Sequence, residues 1–118
     1  MKKEKIISTI DHTLLKQAAT WEQIRDLCME GMESGTASVC IPPSFVKQAA
    51  EFVNGRLPIC TVIGFPNGYQ TMAIKAMEAA QAVKNGADTT DKVAEQTGAG
   101  AACGRCKVLV ENIIELKK

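Results

Sequence analysis

Few side chains in this sequence have both the type and the spacing to do chemistry. Cys103-Gly104-Arg105-Cys106 is a C-x-x-C pair, and an arginine between two thiols favours the thiolate. A thioredoxin-like motif follows a strand and opens a helix, whereas this pair precedes an expected strand. Zinc would need two more ligands, and the single histidine, His12, is far away in sequence. Lys107 is the one lysine on a convincing strand and so the one in-chain candidate for carbonyl chemistry. A Schiff-base lysine needs burial or a neighbouring cation to become nucleophilic near neutrality, and the plainer reading is a structural lysine with its stem along apolar surface. Asp91 could act as a general base if burial raised its pKa; otherwise it is a solvated aspartate in a turn beside Thr89, Thr90 and Lys92. Gly98-x-Gly100, followed by Cys103 and Gly104, is a damaged dinucleotide fingerprint with no helix start after it. His12 has no serine or cysteine in a recognisable nucleophile context and reads as a hydrogen-bonded strand-end residue.

The elements that would position these groups are easier to read. In Ile59–Gly68, ICTVIGFPNG, a β-branched run breaks into Gly64, Pro66 and Gly68 before a helical pattern opens at Thr71. A buried strand thus delivers a backbone-rich loop to a helix N-terminus, where α/β proteins keep their ligands. Upstream, Ile6–Ile10 is expected as a short opening strand or the approach to one. Thr20-Trp21-Glu22-Gln23 reads as a capping box, with Ile24, Leu27, Cys28 and Met32 at helical spacing and Gly35 as the stop. Ala37–Ile41 is a short buried strand closed by Pro42-Pro43. Ser44 would cap a helix carrying Phe45, Val46, Ala49, Ala50 and Val53, broken at Asn54-Gly55. Thr71 would cap a third helix with Ile74, Met77, Ala80 and Val83 towards the core, ending at Asn85-Gly86. Strands alternating with helices imply parallel βαβ units. Beyond Gly86 the pattern weakens until Lys107–Val110, a plausible further strand.

The 118 residues fit one domain, and a 46% hydrophobic content supports a core built mainly from aliphatic residues, since only one Trp, one Tyr and three Phe are present. A formal charge of +1 gives no electrostatic reason to expect nucleic acid or an anionic membrane as partner. Lys2, Lys3 and Lys5 precede an apolar run too short for a signal peptide, and no stretch approaches the ~20 apolar residues of a membrane span. Five cysteines, an odd number, without a secretory signal suggest reduced thiols in a cytoplasmic protein.

Four runs carry a resemblance: Ile10-Asp11-His12-Thr13-Leu14-Leu15, Ala37-Ser38-Val39-Cys40-Ile41-x-Pro43, Cys60-Thr61-Val62-Ile63-Gly64-Phe65-Pro66-x-Gly68 and Asn85-Gly86-Ala87-Asp88. They are similar to deoxyribose-phosphate aldolase, in register from about residue 6 to residue 91, and Lys107–Glu111 looks like that family's fourth strand. The resemblance implies a (β/α)8 barrel that cleaves 2-deoxyribose 5-phosphate reversibly to glyceraldehyde 3-phosphate and acetaldehyde, through a lysine Schiff base and without metal or cofactor. It places Asp91 as a proton-relay aspartate, Lys107 as a pocket lysine that is not the nucleophile, and Asp11, Thr13 and Cys40 at the substrate mouth. A full barrel needs about 200–250 residues. The family's sixth-strand Lys-Thr-Ser-Thr-Gly context and its seventh-strand lysine do not occur here. The expected fold over residues 1–118 is therefore a single domain, half of a β/α barrel with about four parallel strands. The expected function is that of an aldolase-like chain inactive alone, with a small phosphorylated sugar as ligand by resemblance only. A self-associating half-barrel, forming a homo-oligomer, is the second reading; a Cys-x-x-Cys thiol module is the third.

Overall fold

The structure, a computed structural model, describes residues 2–87. Three strands, β1 (Asp11–Thr13), β2 (Ser38–Ile41) and β3 (Ile59–Thr61), form one parallel sheet in that order. Helices α2 (Trp21–Ser34) and α3 (Val46–Val53) make the two crossovers, α4 (Met72–Asn85) follows β3, and a short α1 (Lys3–Ile7) precedes β1. The architecture is that of part of a β/α barrel. The fourth strand expected at Lys107–Val110, with Asp91, Lys107 and the Cys103–Cys106 pair, lies outside the described residues.

Local chemistry sets the element ends. The Thr20 hydroxyl accepts from the Gln23 N–H at 3.3 Å while the Gln23 side chain accepts from the Thr20 N–H at 3.0 Å, closing the capping box. Gly35, at φ +77°, ends α2 in the left-handed conformation, and Asn54, at φ +49°, does the same for α3. Three expectations are corrected. Of the two readings of Ile6–Ile10 the approach to a strand holds and the strand does not: Ile6 and Ile7 lie at the end of α1, and β1 begins only at Asp11, so the polar run Asp11-His12-Thr13 is itself the strand. Pro42-Pro43 leads into a 3-10 turn over Pro43–Phe45, so Ser44 caps nothing and α3 starts at Val46. Thr71 occupies the N-cap position of α4 without a side-chain cap bond.

The sheet is covered on its helix side by one core: Val39, Ile41 and Ile59 pack with Ile24, Leu27 and Cys28 of α2 and Val46, Ala49 and Val53 of α3. Burying each large aliphatic side chain contributes about 1.5–3 kcal/mol. Trp21 and Phe52 meet edge to face at 5.9 Å between centroids, joining α2 to α3. The opposite face carries a second, smaller cluster of Cys40, Cys60 and Val62, with Leu15 beside it. Every residue of β2 and β3 is buried, as expected of parallel strands covered on both faces.

Candidate active-site face

Strand register decides which side chains meet. Asp11 pairs with Ser38, Thr13 with Cys40, and Cys40 with Cys60. Because side chains alternate along a strand, this places Asp11, Thr13, Ser38, Cys40 and Cys60 on the sheet face away from the helices. His12 falls on the other face, where its Nε2 lies 2.9 Å from Glu30 Oε2 of α2. The single histidine is thus tied to a helix, in keeping with a hydrogen-bonded strand residue.

On the inner face Ser38 Oγ donates to Asp11 Oδ1 at 2.7 Å. The Cys40 thiol is fully buried, and its pKa is pushed up to about 12, first by burial and then by the carboxylate of Asp11 and the thiol of Cys60. At neutral pH it is a protonated thiol, suited to packing and weak hydrogen bonding rather than to nucleophilic attack. Among the described residues no strand carries a lysine, so this face offers acid, hydroxyl and thiol groups but no amine.

Above this face, the loops that follow the strands enclose a cavity of about 230 Å³. It is lined by Leu15 and Lys16 after β1, Pro43 and Phe45 after β2, and Phe65 and Pro66 after β3. It is smaller than the 300–1,000 Å³ of ordinary small-molecule sites, but it stands at the strand C-termini, where β/α barrels place their chemistry. The β3–α4 loop forms its rim. The Gly64 N–H donates to Glu78 Oε2 of α4 at 3.3 Å, and Gly64 and Gly68 take φ of +66° and +75°. The Phe65-Pro66 peptide is cis. A Cβ at Gly64 would come within 2.9 Å of Gln70 Oε1, an atom buried without a hydrogen-bond partner.

Of the residues expected at the mouth, the structure brings Asp11, Thr13 and Cys40 onto one face; Asp91 and Lys107 lie outside the described residues. Ser38, Cys60 and Glu78 were not expected. Ser38 stands two residues before Cys40 and therefore shares its face, a signal present in the sequence once that strand is recognised. Cys60 required the β2–β3 register, and Glu78 required the fold of the loop.

Comparison with known proteins decides the lineage. The sequence is 57% identical over 88 residues, 75% of this chain, to deoxyribose-phosphate aldolase of Clostridioides difficile (strain 630). The chain belongs to the deoxyribose-phosphate aldolase family, of which it carries a part. It spans 40% of the length of the Clostridioides relative. A putative deoxyribose-phosphate aldolase from Coccidioides immitis superposes with a TM-score of 0.72 at 26% identity, covering 94% of this chain and 56% of that one. The deoxyribose phosphate aldolase of Aeropyrum pernix, described as having a unique tetrameric structure, superposes at 0.71 with 24% identity, covering 91% and 50%, and speaks to the fold alone. A second likeness overlaps the first: residues 72–115, less than half of the chain, match the family described as BFD-like [2Fe-2S] binding domain. The aldolase-like fold already uses the start of that stretch, because Ala79 and Ala82 of α4 pack with Ile63 and Ala87.

Proposed function

We propose that this chain supplies the first βα units of a deoxyribose-phosphate aldolase-type site and does not carry out the aldol reaction by itself. The observation that carries this reading is the inner strand face: Asp11, Thr13, Ser38, Cys40 and Cys60 line it, and among the described residues no strand lysine accompanies them. Aldol cleavage through a Schiff base needs an amine that attacks the carbonyl, loses water and holds the resulting iminium as an electron sink. In this reading Asp11 and Thr13 orient a hydroxylated substrate, Cys40 packs beside it, Asp91 relays protons and Lys107 lines the pocket. The substrate class is a small phosphorylated sugar, the assembly a homo-oligomer, and the compartment the reducing cytoplasm, which suits buried thiols. Incubation with acetaldehyde and borohydride, followed by peptide mapping, tests the inactivity. The expected result is slow modification spread over the surface lysines, with no turnover of 2-deoxyribose 5-phosphate; a stoichiometric adduct centred on Lys107 would overturn it.

A second reading rests on the match over residues 72–115 and on the pair Cys103 and Cys106 inside it. A 2Fe–2S cluster takes four cysteine thiolates and supplies one-electron redox chemistry when bound. The cysteines of the described fold do not fit that group: Cys28, Cys40 and Cys60 are core residues, and burial raises the pKa of Cys28 as well as Cys40. No cluster of three or more potential metal-binding side chains occurs among the described residues. Cys103 and Cys106 are the ligands this reading assigns, so the cofactor-free expectation does not account for the match. Anaerobic reconstitution with ferric iron and sulfide should give visible charge-transfer absorption that the double variant C103S/C106S lacks; equal absorption in the variant would sink the assignment.

A further inference from the structure

We infer that Asn54 is a site of spontaneous modification in this fold: the Gly55 nitrogen displaces its side-chain amide, leaving aspartate or isoaspartate at the end of α3. The inference concerns the fold and stands apart from the aldolase-type reading. The sequence holds three Asn-Gly steps, Asn54-Gly55, Asn67-Gly68 and Asn85-Gly86. At such a step the glycine has no side chain to hinder its own nitrogen. Once deprotonated, that nitrogen bonds to the asparagine Cγ, and the amide nitrogen leaves as ammonia, taking up the proton. Water then opens the resulting succinimide at one or other carbonyl, giving aspartate or isoaspartate, and no electron is transferred.

The three steps are alike in sequence, and the structure separates them. At Asn67 both reacting groups are held: the Gly68 N–H donates to the Gly64 carbonyl at 2.6 Å, and Asn67 Nδ2 donates to the Tyr69 hydroxyl at 3.1 Å. At Asn85, the last residue of α4, the Gly86 N–H closes the helix end by donating to the Ala82 and Val83 carbonyls. Asn54 and Gly55 instead lie in the exposed turn between α3 and β3. Among the described residues neither the Asn54 side chain nor the Gly55 N–H makes a hydrogen bond. The left-handed conformation of Asn54, φ +49° and ψ +52°, points the Gly55 nitrogen away from Cγ, so that peptide must turn over first. Turning it changes Asn54 ψ and Gly55 φ in opposite senses, and glycine accepts the new φ. The neighbours stay in place: the Asn54 N–H keeps its bond to the Ala50 carbonyl at 3.1 Å, and the Arg56 guanidinium stays on the Phe52 and Val53 carbonyls. The product sets a carboxylate at the carbonyl end of α3, the unfavourable end for negative charge. Isoaspartate also adds an atom to the main chain in the turn that leads to buried Leu57 and β3.

The test is to age the full 118-residue chain in warm, mildly alkaline buffer, with a parallel sample in concentrated urea. Peptide mapping by mass spectrometry follows the amide-to-acid conversion at each of the three asparagines, with isoaspartate scored separately. Each hydrogen bond that must open first lowers the reactive population about fivefold. Asn54 is therefore expected to convert at least about fivefold faster than Asn67 and Asn85 in the folded chain, and the three rates are expected to converge in urea. Asn54→Gly keeps the left-handed helix end and should lose the fast phase while the slow conversion at Asn67 and Asn85 continues. Asn54 failing to lead in the folded chain would overturn the assignment. So would the same ratio of rates in urea, or a fast phase that survives in Asn54→Gly.

Discussion

Cys40 and Asp11 occupy neighbouring strands with their side chains on one face, and each sets conditions for the other. The Cys40 thiol is held neutral, at about 12, by burial first and the Asp11 carboxylate second. An unfolded thiol titrates near 8.5, so between that value and 12 the folded chain binds the extra proton. Stability is then present in full below about pH 8.5 and is lost as pH rises, by about 1.4 kcal/mol per pH unit for one such group. Urea unfolding from pH 8 to about pH 10.5 should show this slope, and Cys40→Ala should flatten it by roughly one proton even though the cavity lowers its stability throughout. Parallel slopes in the two proteins would remove the effect. The bond from Ser38 Oγ to Asp11 Oδ1 is the second such detail. Hydrogen bonds to charged groups are worth about 1.5–3 kcal/mol, and Ser38 is buried, so Ser38→Ala should cost about 1–3 kcal/mol in the same unfolding experiment.

Among the elements, α4 shows where sequence reading succeeds and where it fails. Its existence and its end at Gly86 were legible, because a long helical pattern runs into Asn85-Gly86. Its orientation was legible only in part: Ala80 and Val83 pack inward as expected, but Ile74 and Met77, also expected in the core, are 52% and 68% exposed, while Ala76, Ala79 and Ala82 face inward. Helical periodicity fixes which residues share a face but not which face a neighbour covers. Here α4 approaches α3 too closely for bulk: a Cβ on Gly86, at φ +126°, would fall 2.6 Å from Ala50 Cβ. Small residues win the inner face because the helix lies tight against its neighbour. Gly86→Ala should therefore cost more than 1 kcal/mol, strain and overlap adding, whereas I74E/M77K should leave the thermal midpoint nearly unchanged, since surface substitutions usually stay within about 0.5 kcal/mol. By contrast α2 was legible in full, because both its start at Thr20 and its stop at Gly35 rest on local chemistry. Thr20→Ala should cost about 1 kcal/mol. The mouth was legible only strand by strand. That Asp11, Thr13 and Cys40 belong together came from likeness to a family, and the row they form with Ser38 and Cys60 came from register, which no local pattern encodes.

At the scale of the whole molecule, two features could drive association, and their sizes differ. The three-stranded sheet leaves β1 and β3 as edges among the described residues, but each strand has only three residues, a short template for pairing. The β3–α4 loop and the first turns of α4 instead expose Phe65, Tyr69, Met72, Ile74 and Met77, with Tyr69 open to 80% and Met77 to 68%. At roughly 200 Å² per large side chain, these exposures leave on the order of 600 Å² of apolar surface open. A symmetric pairing would bury about 1,200 Å², the lower end of specific interfaces. Apolar burial therefore outweighs edge pairing as the cause of self-association. Such an association would need no iron. Light scattering of the iron-free chain should show a mass that rises with concentration. I74E/M77K should return it to a monomer at the same stability, while a charged substitution at the β1 edge such as Thr13→Lys should leave the association in place. An iron-free chain that stays monomeric at high concentration would refute both the interface and its cause.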